Sequence, residues 1–432
     1  MKRYALVPDR IWNGVSDEVE ADTSVIVDGE KIEAIIATNE LPPDIERLFL
    51  DGCTLIPGLI DAHVHYCASM GSAYLAAGVT TVRDTGCDLD WILDQREKLA
   101  KDPKLGPTIV CCGFALDGPK GLWHHVCRPH ADAEAIRESV REHVDRGVDA
   151  IKLYAFLSPE MYLAGSEEAH RLGMFVLAHN ESVPAEDILE MGIDETEHQS
   201  GYRVAWRAAT EEEDDALIDR FMQHNHVMDP TLVVWDRIGR VFDQSIFQDG
   251  RRKWVHPEYL MLWDRFPYRS QEPERRLRFQ RAIPNLKRFL RRAHERGVTV
   301  AIGTDAPFLH LVPGFSLHDE LLMYVDAGIR PVDALRSATS INAKVLGIDS
   351  KVGRTQAGFD ADLTAIKGNP LDRMDDIGGI VLTVHKGAVL YPKELLETTL
   401  FSFDRPLDDP IVRDAREYVD RSAVINREGG DG

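Results

Sequence analysis

The stretch PGLIDAHVHY, Pro57 to Tyr66, sets two histidines two residues apart. Alternate side chains of an extended strand share a face, so His63 and His65 point one way and Ala62 and Val64 the other. Two imidazoles so placed can grip one metal ion from the same side. Alone, the pair reads equally well as surface or hydrogen-bonded core histidines. Three further segments, MFVLAHN, DETEHQ and TVAIGTDAP, carry His179, His198 and Asp305 at the end of an apolar or short strand. A fourth, DAIKLYAF, sets Lys152 between Ile151 and Leu153, which alternation turns to the opposite face. Buried without partners, such groups would each cost several kcal/mol. Lys152 read by itself is also compatible with a lysine that snorkels out from a strand end.

The elements that must position these residues are short apolar runs alternating with amphipathic helical stretches. The strands expected in order are GLIDAHVHY, VTTVRDTG, PTIVCCGFA, DAIKLYAF, MFVLAHN, DETEHQS, HVMDPTLVV and TVAIGTDAP. Helical segments such as ADAEAIRESVREHVDRG and NLKRFLRRAHERG lie between most of them, and both close on a glycine suited to a helix end. Eight strands with intervening helices predict a (β/α)8 barrel over residues 58–347. Its C-terminal strand ends would gather His63, His65, Lys152, His179, His198 and Asp305 on one face. Before the barrel, SVIVDGEKIEAII reads as a hairpin turning at Asp28-Gly29, and LFLDGCTLIPG repeats the signal at Asp51-Gly52. Strand texture returns after Gly347 in AGFDADLTAIKG and IVLTVHKGAVLY. The insert after the seventh strand, with Trp235, Trp254, Trp263, Phe266 and Tyr268, reads as extra helices, some covering the barrel mouth. Residues 401–432 read as a helical or flexible tail, ending in a mobile REGGDG.

The bulk composition narrows the function classes. Fifty Lys and Arg against 72 Asp and Glu leave a charge of −22 over 432 residues. So acidic a chain is unsuited to nucleic acid or an anionic membrane surface. The six cysteines form no C-x-x-C pair, which argues against thiolate zinc. With no signal-peptide core at the start, the expectation is a cytoplasmic enzyme acting on a small molecule.

The combination of PGLIDAHVH, GVTTVRD, the strand-end His179 and His198, GTDAP and GFDADLTAI resembles the amidohydrolase superfamily of metal-dependent hydrolases. Within it, the prolidase-like and imidazolonepropionase-related branch is nearest. The resemblance implies a (β/α)8 TIM barrel with a small β-sandwich built from residues 1–57 and 348–400. It also implies two divalent metal ions, zinc first, with manganese, cobalt or iron compatible. Carried onto this sequence, His63, His65 and Asp305 would bind one metal, and His179 and His198 the second. Lys152 would bridge them as a carbamate formed with carbon dioxide. Burial supports that role, since it disfavours the ammonium and leaves an amine able to add carbon dioxide.

Such a centre would generate a bridging hydroxide, with Asp305 passing its proton to the leaving nitrogen. The implied reaction is hydrolysis of a C–N bond in an amide, peptide, carbamate or urea. The first-guess substrate is peptide-like or an N-acyl amino acid, with an aryl amide or carbamate close behind. A lactone or ester could use the same site. A mononuclear deaminase is the other alternative, but such members carry H-x-x-E, whereas Glu181 falls only two residues after His179. For substrate binding, His125 in GLWHHVCRPH could hold an oxyanion and Tyr154 could touch substrate. Equally, His124 and His125 could face solvent or pack on Trp123, and Tyr154 could support a ligand. Arg203 and Arg207 could pair a substrate carboxylate or sit in surface salt bridges. The sandwich edges and barrel helices could support a homo-oligomer.

Overall fold

The structure is a computed structural model that describes residues 3–121, 123–181, 183–265, 273–404 and 407–428, with backbone only for 273–276 and 422–428. Phe266, Tyr268 and the REGGDG end beyond residue 428 lie outside the described residues. One eight-stranded mixed sheet joins strands from both ends of the chain. Tyr4–Ile11 lies parallel to Glu46–Pro57, and Glu46–Pro57 pairs antiparallel with Leu363–Lys367. The Asp28-Gly29 signal makes the expected hairpin, with Thr23–Asp28 paired to Lys31–Ala37 across a two-residue turn. The second Asp-Gly does not turn the chain. Glu46–Pro57 runs on as one strand through Gly52, whose φ of 69° accompanies a register shift against Pro8 and Arg10. A glycine in the left-handed region helps absorb the two extra residues there as a bulge.

Two parallel sheets hold the chemistry-bearing strands. A three-stranded sheet contains Leu59–Val64, Val79–Asp84 and Thr108–Cys111. A seven-stranded sheet includes Ile151–Leu153, Val176–Ala178, Glu195–Glu197, Val227–Asp229 and Thr299–Val300. The Asp149 amide donates to the Cys111 carbonyl at 2.8 Å, linking the sheets on one side. Ala62 donates to Ile302 at 3.0 Å on the other, and His65 donates to Ala306 at 2.8 Å. These strands are buried along their described length, which explains their continuous rather than alternating apolar texture.

The seventh strand is shorter than HVMDPTLVV suggests. It stops at Asp229, and Leu232–Gly239 is a helix. The buried Glu320 carboxylate accepts the Leu232 and Val233 amides at 2.8 and 2.6 Å, an N-terminal cap supplied from 88 residues away. Helices Pro257–Arg265 and Pro273–Glu295 follow in the expected insert. Two helices, Pro392–Ser402 and Pro410–Glu428, end the described chain. Among the described residues no helix is long and apolar enough to cross a membrane.

Behind the sixth strand, His226 is fully buried. Its Nδ1–H donates to the Ile193 carbonyl at 3.0 Å, so Nε2 accepts from the Thr196 hydroxyl at 2.7 Å. Burial pushes this imidazole from 6.5 down to about 3. Below pH 6.5 the unfolded chain therefore holds one more proton at this site than the folded protein. Stability contributed by neutral His226 is complete above 6.5 and falls as the pH drops toward 3, at up to about 1.4 kcal/mol per pH unit. Denaturant melts at stepped pH should show a shallower acid loss for His226→Asn than for wild type; equal slopes would contradict this assignment.

Candidate metal centre

The strand ends bring His63, His65, Lys152, Tyr154, His179, His198 and Asp305 to one cavity. His65 and His198 are fixed through Nδ1, which leaves Nε2 as the atom free to ligate, while His63 Nδ1 faces a carboxylate without hydrogen-bond geometry. His65 Nδ1 lies 2.9 Å from the Gly86 carbonyl, an acceptor only, so this nitrogen carries the hydrogen. His198 Nδ1 lies 2.6 Å from the Thr231 hydroxyl. His63 Nδ1 stands 3.0 Å from Glu197 Oε1. Such outer partners set the tautomer and ring orientation of a metal-binding histidine.

The Nε2 atoms of His63 and His65 approach Asp305 Oδ1 at 3.4 and 3.3 Å. The donor atoms of His63, His65 and Asp305 all lie within 4.8 Å of one another. His198 sits between the neighbouring pair with its ring tilted to both, the centroids 4.6 Å from His63 and 4.7 Å from His179. Burial pushes the Asp305 carboxyl up, but His63 and His65 outweigh it and hold the group well below the usual carboxylate range. His179 and His198 are both lowered, chiefly by burial, and so are neutral at neutral pH. His198 and Asp305 have φ of 62° and 65°. For non-glycine residues this is strained backbone, and it sits at two of the candidate ligands.

Lys152 is 1% exposed, and its Nζ stands against the Glu197 carboxylate without hydrogen-bond geometry. Burial lowers this amine to about 7. His179 Nδ1 and both Glu197 oxygens are likewise buried without a hydrogen-bond partner. Orphaned donors and acceptors at this density, in a set of imidazoles and carboxylates, fit a divalent-cation centre.

Glu197 is the residue that strand alternation hides. Counted along an ideal strand, Glu197 and His198 face opposite ways, yet both reach His63. The left-handed backbone at His198 turns the chain so that successive side chains meet the same centre. The legible signal was the pair Glu195 and Glu197 inside a buried parallel strand with no apolar alternation. Glu195 is spent on the fully buried Arg83, which donates to both of its oxygens and to the Ala62 carbonyl.

Other candidates are placed elsewhere. His125 is not among the residues lining the cavity; its Nε2 lies 3.0 Å from Glu417 of the C-terminal helix. His124 is exposed, and its neighbours Trp123 and Val126 are the ones that line the cavity. Arg203 is exposed, and Arg207 pairs with Glu213 at 2.6 Å. Glu181 does reach His179 Nε2 from the following loop, at 3.3 Å, with its own carboxylate largely exposed.

Glu197→Gln keeps the side chain's size and removes its charge. Chelator competition should show metal affinity weakened about 10- to 100-fold, with circular dichroism unchanged. Wild-type affinity would mean that Glu197 does not orient His63.

The fold is shared with solved structures. A Xaa-Pro dipeptidase with bound methionine superposes with a TM-score of 0.69 at 22% identity, over 90% of this chain and 100% of that one. A putative prolidase from Bifidobacterium longum gives 0.71 at 24%, over 92% and 99%. The ochratoxinase of A. niger gives 0.69 at 18%, over 90% and 96%. No curated protein matches by sequence. The family model of the amidohydrolase family spans residues 54–390, from the last strand before His63 to the strand that closes the mixed sheet, and the chain therefore belongs to the amidohydrolase family.

Proposed function

We propose that this amidohydrolase-family hydrolase cleaves a C–N bond in an amide, peptide, carbamate or urea. The substrate is peptide-like, an N-acyl amino acid, or an aryl amide or carbamate. The observation that carries the reading is the convergence of four histidines, a lysine and an aspartate on one cavity, with buried nitrogens at Lys152 and His179 left without hydrogen bonds. In this reading His63, His65 and Asp305 hold one divalent metal, His179 and His198 hold a second, and Lys152 spans them as its carbamate. An amine lowered to about 7 by burial is half neutral at that pH and able to add carbon dioxide, which supports the last role.

Bound divalent metals would polarise the scissile carbonyl and acidify a neighbouring water. The chain's own residues do the rest. Asp305 is ionised at neutral pH, so it can accept the proton of the attacking water and hand it to the leaving nitrogen. Gly86 and Thr231 keep two imidazoles aimed at the centre throughout, and the Glu197 carboxylate stands beside the third. The same reading takes the two parallel sheets as one closed (β/α)8 barrel and the mixed sheet as the small β-sandwich. The backbone hydrogen bonds across both seams support closure.

The Glu181–His179 contact favours a second reading, a mononuclear aminohydrolase in which a carboxylate beside this histidine serves a substrate nitrogen. Metal analysis separates the two. The binuclear reading expects two zinc ions per chain after reconstitution. It also expects Lys152→Ala to lose at least one of them, with a fall in amide or carbamate kcat/KM of at least about 100-fold. One metal per chain, with full activity in Lys152→Ala, would sink it.

A further inference from the structure

Apart from the histidines, Lys152, Asp305 and Tyr154, the cavity has an apolar lining. Trp123, Val234, Trp235, Phe308 and Ile411 line it, and its volume is about 130 Å³. That volume includes the space between the candidate ligands, so its apolar part has room for no more than one small group. Among the described lining residues there is no arginine, and the one lysine, Lys152, stands at the metal side against Glu197. The arginines that follow the sixth strand are exposed, so neither offers a guanidinium to the wall.

The wall is also rigid. Trp235 stacks on Phe279 with centroids 5.4 Å apart and meets Trp206 edge-on at 4.8 Å. Its indole N–H is committed to the His198 carbonyl at 2.8 Å. Ile411 comes from the helix Pro410–Glu428, beyond the residues that match the family model. That helix is fastened to the cavity's loop. Asp414 accepts the amides of His125 at 3.0 Å and Val126 at 2.9 Å, and Trp123 packs on Tyr418 at 5.0 Å. Asp409 accepts the Cys67 thiol at 2.7 Å. A preformed apolar cup loses little entropy on binding, and it penalises any charge placed in it.

We propose that the cavity holds one uncharged, apolar group of the substrate, the size of a single ring or a branched aliphatic chain, beside the scissile C–N bond, and that Ile411 of the C-terminal helix sets the preference for it. The free carboxylate of a dipeptide or N-acyl amino acid does not enter this cup. The inference rests on the C–N hydrolase reading, so its test carries a binding readout besides turnover.

The discriminating pair is N-isobutylacetamide against N-acetylglycine, because an isopropyl group and a carboxylate have nearly the same shape. N-benzylacetamide extends the series, and matched carbamates repeat it. With the zinc-loaded protein, kcat/KM for the isobutyl or benzyl compound should exceed that for the carboxylate by about 100-fold or more. Titration calorimetry should show N-benzylacetamide bound about tenfold more weakly by Ile411→Ala, with the benzyl-to-methyl ratio of kcat/KM lowered by a similar factor. Ile411→Phe, which narrows the cup instead of emptying it, should lower benzyl affinity and the same benzyl-to-methyl ratio. It keeps the test decisive if the alanine variant fails to fold. Equal or faster turnover of the carboxylate, or wild-type benzyl affinity in a folded Ile411 variant, overturns the proposal. Benzyl binding that Ile411→Ala weakens, with no cleavage of any member, upholds the cup and removes the C–N reading instead.

Discussion

The rest of the structure is organised around the cost of burying carboxylates. Asp61, Asp84, Glu195, Glu197 and Asp229 are fully buried, with Asp305 beside them at the cavity. An isolated ionised carboxylate in such a medium costs far more than a hydrogen bond returns, so each must find a cation, a set of amides or a proton. Arg83 answers Glu195. Thr304 and the His63 amide answer Asp61, and the amides of Tyr66 and Gly86 answer Asp84. Even so, burial raises Asp61 to about 7 and Asp84 to about 6. Glu197 and Asp229 keep side-chain oxygens without hydrogen bonds. An interior with this excess of negative charge, facing four imidazoles, is electrostatically prepared for divalent cations.

That constraint explains what the sequence made legible. His63 and His65 could be read because strand spacing is rigid, and Lys152 because a cation flanked by aliphatics is conspicuous. His179, His198 and Asp305 could be read because each ends a strand, where a parallel sheet delivers its side chains to one face. What escaped depends on contacts distant in sequence or on unusual backbone. Glu197 was hidden by the left-handed turn at His198. The helix at Leu232 was hidden because the carboxylate that starts it is Glu320. His125, two residues from a cavity-lining tryptophan, is drawn away by Glu417, 292 residues later. Asp51-Gly52 has the composition of a turn, but the strand around it is held on both sides, so it becomes a bulge.

The charged floor and the apolar wall serve each other. An apolar wall excludes water from the histidine cluster, and in a drier site the attraction between fixed charges and a reacting carbonyl is less screened. The fold assigns the two tasks to different parts of the chain. The floor comes from strand ends that the two parallel sheets hold in register. The wall comes from the loops that carry Trp123 and Phe308, from the helix after the seventh strand and from the C-terminal helix.

Trp235 is where this separation breaks down. Its ring forms part of the wall, while its N–H donates to the carbonyl of His198, a candidate ligand in strained backbone. A smaller residue there would empty the cup and also release the hydrogen bond that steadies His198. Size preference and metal binding would then change together. Ile411 has no such hydrogen bond to a candidate ligand; it meets the cavity from a helix anchored by Asp414 to the amides of His125 and Val126 and by Asp409 to Cys67, two residues after His65. Trp235 thus couples the wall to the charged floor directly, whereas Ile411 reaches that floor only through the helix that carries it, and a change of selectivity costs the metal centre less at the second position.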